Sequence, residues 1–138
     1  MRISYINGVC VRNDAISNAV RDEIRFFHDS GETDLRLYAF QCDYPDLFHQ
    51  SADNCADVVL SRHFQTSDLL IFHFGIYSPL FNLLAVAPRR AKKIVVFHNI
   101  TPALLVAEPD RPLIERSYAQ LQNIRWADRR SAATRDVP

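Results

Sequence analysis

Apolar residues recur along this chain in two rhythms, short unbroken runs and stripes spaced by threes and fours, and the two rhythms alternate. Residues 3–7, Ile-Ser-Tyr-Ile-Asn, form the first run and predict a buried strand closed by Gly8. Asn13 or Asp14 then caps a helix whose stripe is Ile16, Ala19, Val20, Ile24 and Phe27, and Gly31 stops it. A second strand follows at 35–40, then a loop through Pro45. Ser51 caps a predicted helix carrying Cys55, Val58, Val59 and Phe64. The unbroken run at 69–74 is of the kind buried on both faces of a sheet. Ser78-Pro79 starts another helix, with Leu80, Leu83 and Leu84 facing inward. A β-branched run at 94–97 predicts a further buried strand. Asp110 and Pro112 open a last helix with Ile114, Tyr118, Leu121 and Ile124 on one face.

Strand and helix thus alternate, which predicts an α/β fold: a three-layer Rossmann-like or flavodoxin-like domain on a parallel sheet of about four or five strands. Residues 1–138 read as a single domain. No strand pattern follows the last helix in Arg-Ser-Ala-Ala-Thr-Arg-Asp-Val-Pro, so the sheet is expected to be short on its carboxyl side and the domain to be part of something larger.

Charge and composition narrow the function. The formal net charge is zero, and no long basic face is written in the chain, so a nucleic-acid partner is not expected. The three cysteines, Cys10, Cys42 and Cys55, form no CxxC pair and have no histidine at zinc spacing, so neither a metal site nor a cofactor is expected. Scattered thiols, a start too interrupted for a signal peptide and the lack of a membrane-length apolar run predict a cytoplasmic protein. The densest basic cluster, Arg89, Arg90, Lys92 and Lys93, reads as a solvated turn or as a contact with anionic lipid on the inner membrane face.

In open α/β sheets, ligands bind beyond the carboxyl ends of the strands. Here those ends carry Asn7-Gly8, then His73 and Gly75, then His98-Asn99. In a flavodoxin-like strand order the first and third strands are neighbours, with the fourth beside the third, so the three ends would line one crevice. Gly8 is either a tight turn or a point of close approach to a phosphate. Asp14 is a helix cap that leaves room for a ligand role, with amides near Ile16 and Ser17 as anion donors. His73 reads as a core histidine. His98, where an apolar strand gives way to the polar loop His-Asn-Ile-Thr-Pro, reads as functional. No P-loop, GxSxG, GxGxxG or Ser/His/Asp pattern is present.

The runs Ile-Phe-His-Phe-Gly at 71–75 and Val-Val-Phe-His-Asn-Ile-Thr-Pro at 95–102, together with Asn13-Asp14-Ala15-Ile16-Ser17, resemble the amino-terminal domain of GT-B glycosyltransferases of the "glycosyl transferases group 1" type. The last helix, through Arg116, Leu121 and Trp126-Ala127-Asp128, is similar to the stretch before that family's next strand. The resemblance spans most of the chain, and its specific part is the run from His98 to Pro102. Asn13 stands where the family often has glycine. The resemblance implies sugar transfer with retention of configuration from a nucleotide-sugar donor held between two Rossmann-like domains, usually without metal. It implies that His98 sits beside the transferred sugar as the catalytic side chain. Gly8, Asp14 and Ser17 would lie by the donor phosphates or the acceptor, while Tyr77, Ser78, Asn99 and Thr101 would shape the acceptor pocket. The acceptor would be a sugar, a lipid-linked molecule or a small molecule. The donor-binding half would come from a carboxyl-terminal domain or a partner subunit, without which the chain is expected to be inactive and to dimerise through an uncovered edge. Two other classes stay open: a non-catalytic Rossmann-like subunit that recognises an acceptor or a partner protein, and a receiver-like domain, whose acidic cluster and phospho-accepting aspartate are missing.

Overall fold

The computed structural model describes residues 1–31 and 33–133, with side chains up to residue 125. The Trp126-Ala127-Asp128 side chains and the carboxyl end at 134–138 lie outside the described residues.

A five-stranded sheet runs through the molecule in the order β5 (His49–Ser51), β3 (Asp34–Ala39), β1 (Arg2–Ile6), β6 (Leu69–Phe74) and β7 (Lys92–Phe97), with every pairing parallel. The first long strand thus lies beside the third and the fourth beside the third, the arrangement that makes the strand ends converge. β2 (Val9–Cys10) and β4 (Gln41–Cys42) form a small parallel pair beyond the ends of β1 and β3.

Period-two alternation sends opposite sides of each strand into two cores. Ile3, Tyr5, Leu37, Ala39 and Ile71 pack with Val20 and Ile24 of α1 (Ala15–Asp29). Ile6, Tyr38, Leu70, Phe72 and Phe74 face the other way, against Val58, Phe64, Leu80, Leu83 and Ile114. That second layer is built from α2 (Cys55–Val59), α3 (Arg62–Gln65), 3₁₀ turns over Pro79–Val86 and α4 (Arg111–Ala133). The chain is therefore a three-layer, Rossmann-like α/β domain.

Several local expectations are revised. The helix expected from Ser51 is capped by Asn54, whose side chain accepts from the amides of Ala56 and Asp57 while Asp57 returns the bond, and Leu60–Ser61 breaks it into α2 and α3. The stretch after Phe40, expected to be a loop, contributes β4 and β5. The segment after Ser78 winds as 3₁₀ turns rather than an α-helix. β7, expected to be buried, is an outer strand with Ile94 46%, Val95 37% and Phe97 52% exposed. It has no neighbour on its far side among the described residues.

Candidate functional site

β1 hands the chain to α1 and thence to β3 on one side, while β6 stands on the other, so a crevice opens above the carboxyl ends of β1 and β6. A cavity of about 300 Å³ occupies it, walled by Gly8, Asp14, Ile16, His73, Tyr77 and Ser78 among others. Two glycines let its walls approach. A β carbon on Gly8 would stand 3.1 Å from the β carbon and hydroxyl of Ser78, and one on Gly75 would overlap the tip of Ile16.

The α1 end of the crevice is held by Asp14, whose Oδ2 accepts from the Ser17 amide at 2.7 Å and the Ser17 hydroxyl at 2.6 Å. Ser17 is fully buried beneath the crevice, and its Oγ also accepts from the Val11 amide at 3.0 Å. The Ser17 amide, expected to be open to an anion, is taken by the cap. Asn13 enters the helix with φ 62°, a left-handed conformation that asparagine tolerates and most side chains do not.

The opposite wall is fixed by α4. Ser117 Oγ accepts from the Tyr77 amide at 2.8 Å. Gln120 accepts from the Ser78 amide at 3.2 Å and donates to the Ser78 carbonyl at 2.7 Å. The Arg116 guanidinium lies 4.2 Å from the centre of the Tyr77 ring, a cation held over an aromatic face at the crevice rim.

Register carries both histidines to one face. His73 pairs with Val96, so His98, two residues on, projects to the same side as His73 and α1. His73 Nδ1 is 3.0 Å from His98 Nε2, and the rings are stacked with centroids 5.2 Å apart. On its other side His73 Nε2 is 3.2 Å from Glu23 Oε2 of α1. His73 is 1% exposed. Burial is the main influence on it and lowers its pKa below the ordinary histidine value, with Glu23 opposing and His98 assisting. Tyr5 stacks on His73 with centroids 6.0 Å apart, and burial together with Glu23 pushes its phenol far above the usual value.

Of the residues singled out from sequence, Gly8, Asp14, Tyr77 and Ser78 meet at the cavity, with His98 flanking it through His73. Asn99 and Thr101 are exposed on the loop after β7, away from the cavity wall. His73 is in the core as expected, yet it touches His98, which sequence reasoning missed. Glu23, Arg116, Ser117 and Gln120 were missed too. Glu23 had a signal: it lies on the stripe running through Ile16, Val20 and Phe27, where a carboxylate is out of place.

A second polar line runs through the other end of the sheet. Ser4 Oγ is 3.0 Å from His63 Nδ1, and His63 Nε2 is 3.3 Å from Asp34 Oδ1. The sequence offered no Ser/His/Asp pattern, but the fold assembles one. Ser4 is 0% exposed and also bonds Ser67, so this line is an internal tie, not a nucleophile within reach of a substrate. The larger hollow, about 510 Å³ beside Arg25, His28, Asp34 and Phe48, sits at the amino end of β3, away from the strand tips. Among the described residues no three His, Cys, Asp or Glu side chains group as a metal site. No helix of the described residues is long and apolar enough to cross a membrane.

No family model, curated protein or solved structure matches this chain.

Proposed function

We propose that this chain is the amino-terminal, acceptor-side half of a retaining GT-B glycosyltransferase, completed by a donor-binding carboxyl domain or partner subunit. The observation that carries the reading is the meeting of Gly8, the Asp14-capped start of α1, the Tyr77-Ser78 turn and the Glu23–His73–His98 line at one set of strand ends. The left-handed Asn13 adds support, because it fills with a tolerant residue the place where the family often has glycine.

In this reading the acceptor lies in the cavity with its hydroxyl toward His98, and the sugar of the donor is presented from the facing half. Gly8 brings backbone close to the leaving diphosphate, and Arg116 supplies a cation at the rim. The chemistry asked of the protein is mostly positioning and charge stabilisation. The test is transfer from a panel of nucleotide sugars by the protein joined to its donor-binding half, with His98→Ala alongside. Absence of transfer with every donor, and no shift of crevice amide resonances on adding nucleoside diphosphates, would sink the proposal.

The exposed apolar side chains of β7 and the loop after it, Ile94, Phe97, Leu104 and Leu105, favour the second reading, a non-catalytic subunit that docks a partner protein. The two readings separate on His98→Ala. That change abolishes turnover under the first and leaves partner capture intact under the second.

A further inference from the structure

The Glu23–His73–His98 line has a direction. His98 is half-buried beside Gly75 at the crevice edge, His73 is 1% exposed at the inner wall of the cavity, and the Glu23 side chain is 42% exposed on α1. Two hydrogen bonds therefore connect the crevice edge at His98 to the part-exposed Glu23 on α1 by a route through the interior. We propose that Glu23 and His73 are a proton relay behind His98, carrying a proton from the crevice to solvent on the outer face of α1.

The polarity of the line follows from the groups themselves. A carboxylate only accepts, so His73 presents Nε2–H to Glu23. Neutral His73 then has a bare Nδ1, which accepts from His98 Nε2–H. This leaves the His98 Nδ1 lone pair for the crevice. Burial keeps His73 neutral at rest, because desolvation outweighs the carboxylate. The ionisable groups facing His73 are Glu23 from α1, His98 from the end of β7 and Tyr5 from β1, and the Tyr5 phenol stays protonated.

The relay rests on the sugar-transfer reading for its substrate. The acceptor oxygen bonds the anomeric carbon, the bond from that carbon to the phosphate oxygen breaks, and the diphosphate leaves with the electron pair. The acceptor proton moves to His98 Nδ1, the Nε2 proton of His98 moves to His73 Nδ1, and the Nε2 proton of His73 moves to Glu23 and on to water. The transient charge on His73 lies beside the Glu23 carboxylate. The interior route matters because a donor half closing over the crevice would cut His98 off from solvent.

The first experiment needs no sugar. Long-range proton–nitrogen correlation spectra of the labelled protein at neutral pH should show His98 protonated at Nε2 and bare at Nδ1, with His73 likewise protonated at Nε2. Neutral His98 carrying its proton on Nδ1 overturns the relay. Glu23→Gln, a change at a half-exposed site, should move the titration of His73 to lower pH, because the carboxylate that favours its charged form is gone. A His73 titration that does not move overturns it. In the assembled enzyme, His73→Gln keeps an acceptor for His98 and a donor for Glu23 but cannot pass a proton, so kcat should fall by about 10²-fold with KM unchanged. Full kcat in that variant overturns the relay while leaving the transferase reading in place. A wild type that transfers no sugar ends the transferase reading and leaves the spectra to decide the relay.

Discussion

Gln120 holds Ser78 by both of its backbone polar groups, accepting from the amide at 3.2 Å and donating to the carbonyl at 2.7 Å. Both residues are buried, Gln120 at 4% and Ser78 at 5% exposure. One side chain of α4 thus does for the crevice wall what a neighbouring strand does for a sheet. Gln120→Leu should cost on the order of 2 kcal/mol, since it strands a buried donor and a buried acceptor. Urea unfolding measures it, with an unchanged m-value expected. A variant as stable as the parent would mean that water or relaxation replaces both bonds.

Gly75 is needed for space. Its β carbon would overlap the tip of Ile16, whereas His98 Cβ stands at an ordinary 3.4 Å. Gly75→Ala should therefore lower stability by about 1–2 kcal/mol, and adding Ile16→Val should recover most of it, because the obstruction is a single methyl at the end of a side chain. Thermal melts of the two single variants and the double variant form the cycle. Simple additivity would show that the clash is not the cause.

His63 and His73 are both held below the ordinary histidine value, each chiefly by burial. The fold binds fewer protons at these sites than the unfolded chain, whose histidines titrate near 6.5. Their contribution to stability is thus fully present above that value and is lost as pH falls through and below it. The melting temperature should drop between about pH 7 and pH 5, a range above the titration of the carboxylates. Asp34, whose pKa is lowered chiefly by its hydrogen bond from Arg2, adds a further loss only at more acidic pH. A flat profile across the histidine range would contradict this.

His98→Ala should leave folding nearly unchanged, because His98 is half-buried at a strand end and fills no core. Under the proposed transferase reading, it should lower kcat of the assembled protein by about 10²-fold or more, roughly 2.7 kcal/mol of transition-state stabilisation. His73→Ala should lower both stability and turnover, since that ring is at once core and partner to His98. Paired melts and turnover assays separate the two. A His98→Ala protein that melts early with full turnover would reverse the assignment.

Arg89, Arg90, Lys92 and Lys93 lie at the amino end of β7, the end of the sheet opposite the crevice. If they meet anionic lipid, changing all four to Gln should weaken vesicle binding, and so should added salt, which shortens electrostatic reach to about 8 Å at physiological ionic strength. Equal vesicle retention of both proteins would leave the solvated-turn reading. The geometry adds a constraint: a surface bound there would see the far end of the sheet, with the crevice turned away.

The layered fold was legible because parallel buried strands are written as unbroken apolar runs and α1 as a stripe with a capping aspartate. The crevice was legible because strand tips interrupt those runs with Gly8, Gly75 and His98. β7 misled for a simple reason: an apolar run announces that a strand ought to be covered, but not what covers it. The Ser51 cap was displaced because Asn54 and Asp57 make a reciprocal box that a single serine cannot match. The link from His98 to Glu23 lay hidden in parity. Ile71, His73, Val96 and His98 share one face only once β6 and β7 are known to pair in this register.

Phe97 and His98 are consecutive, and Phe97 stacks on Phe74 at 6.1 Å while keeping about half its surface open. The His98 amide donates to the Phe74 carbonyl at 2.7 Å, so the backbone that carries the imidazole is anchored on the strand beneath that ring. Under the proposed reading, a partner resting on the open ring of Phe97 would bear on the same strand end that carries His98.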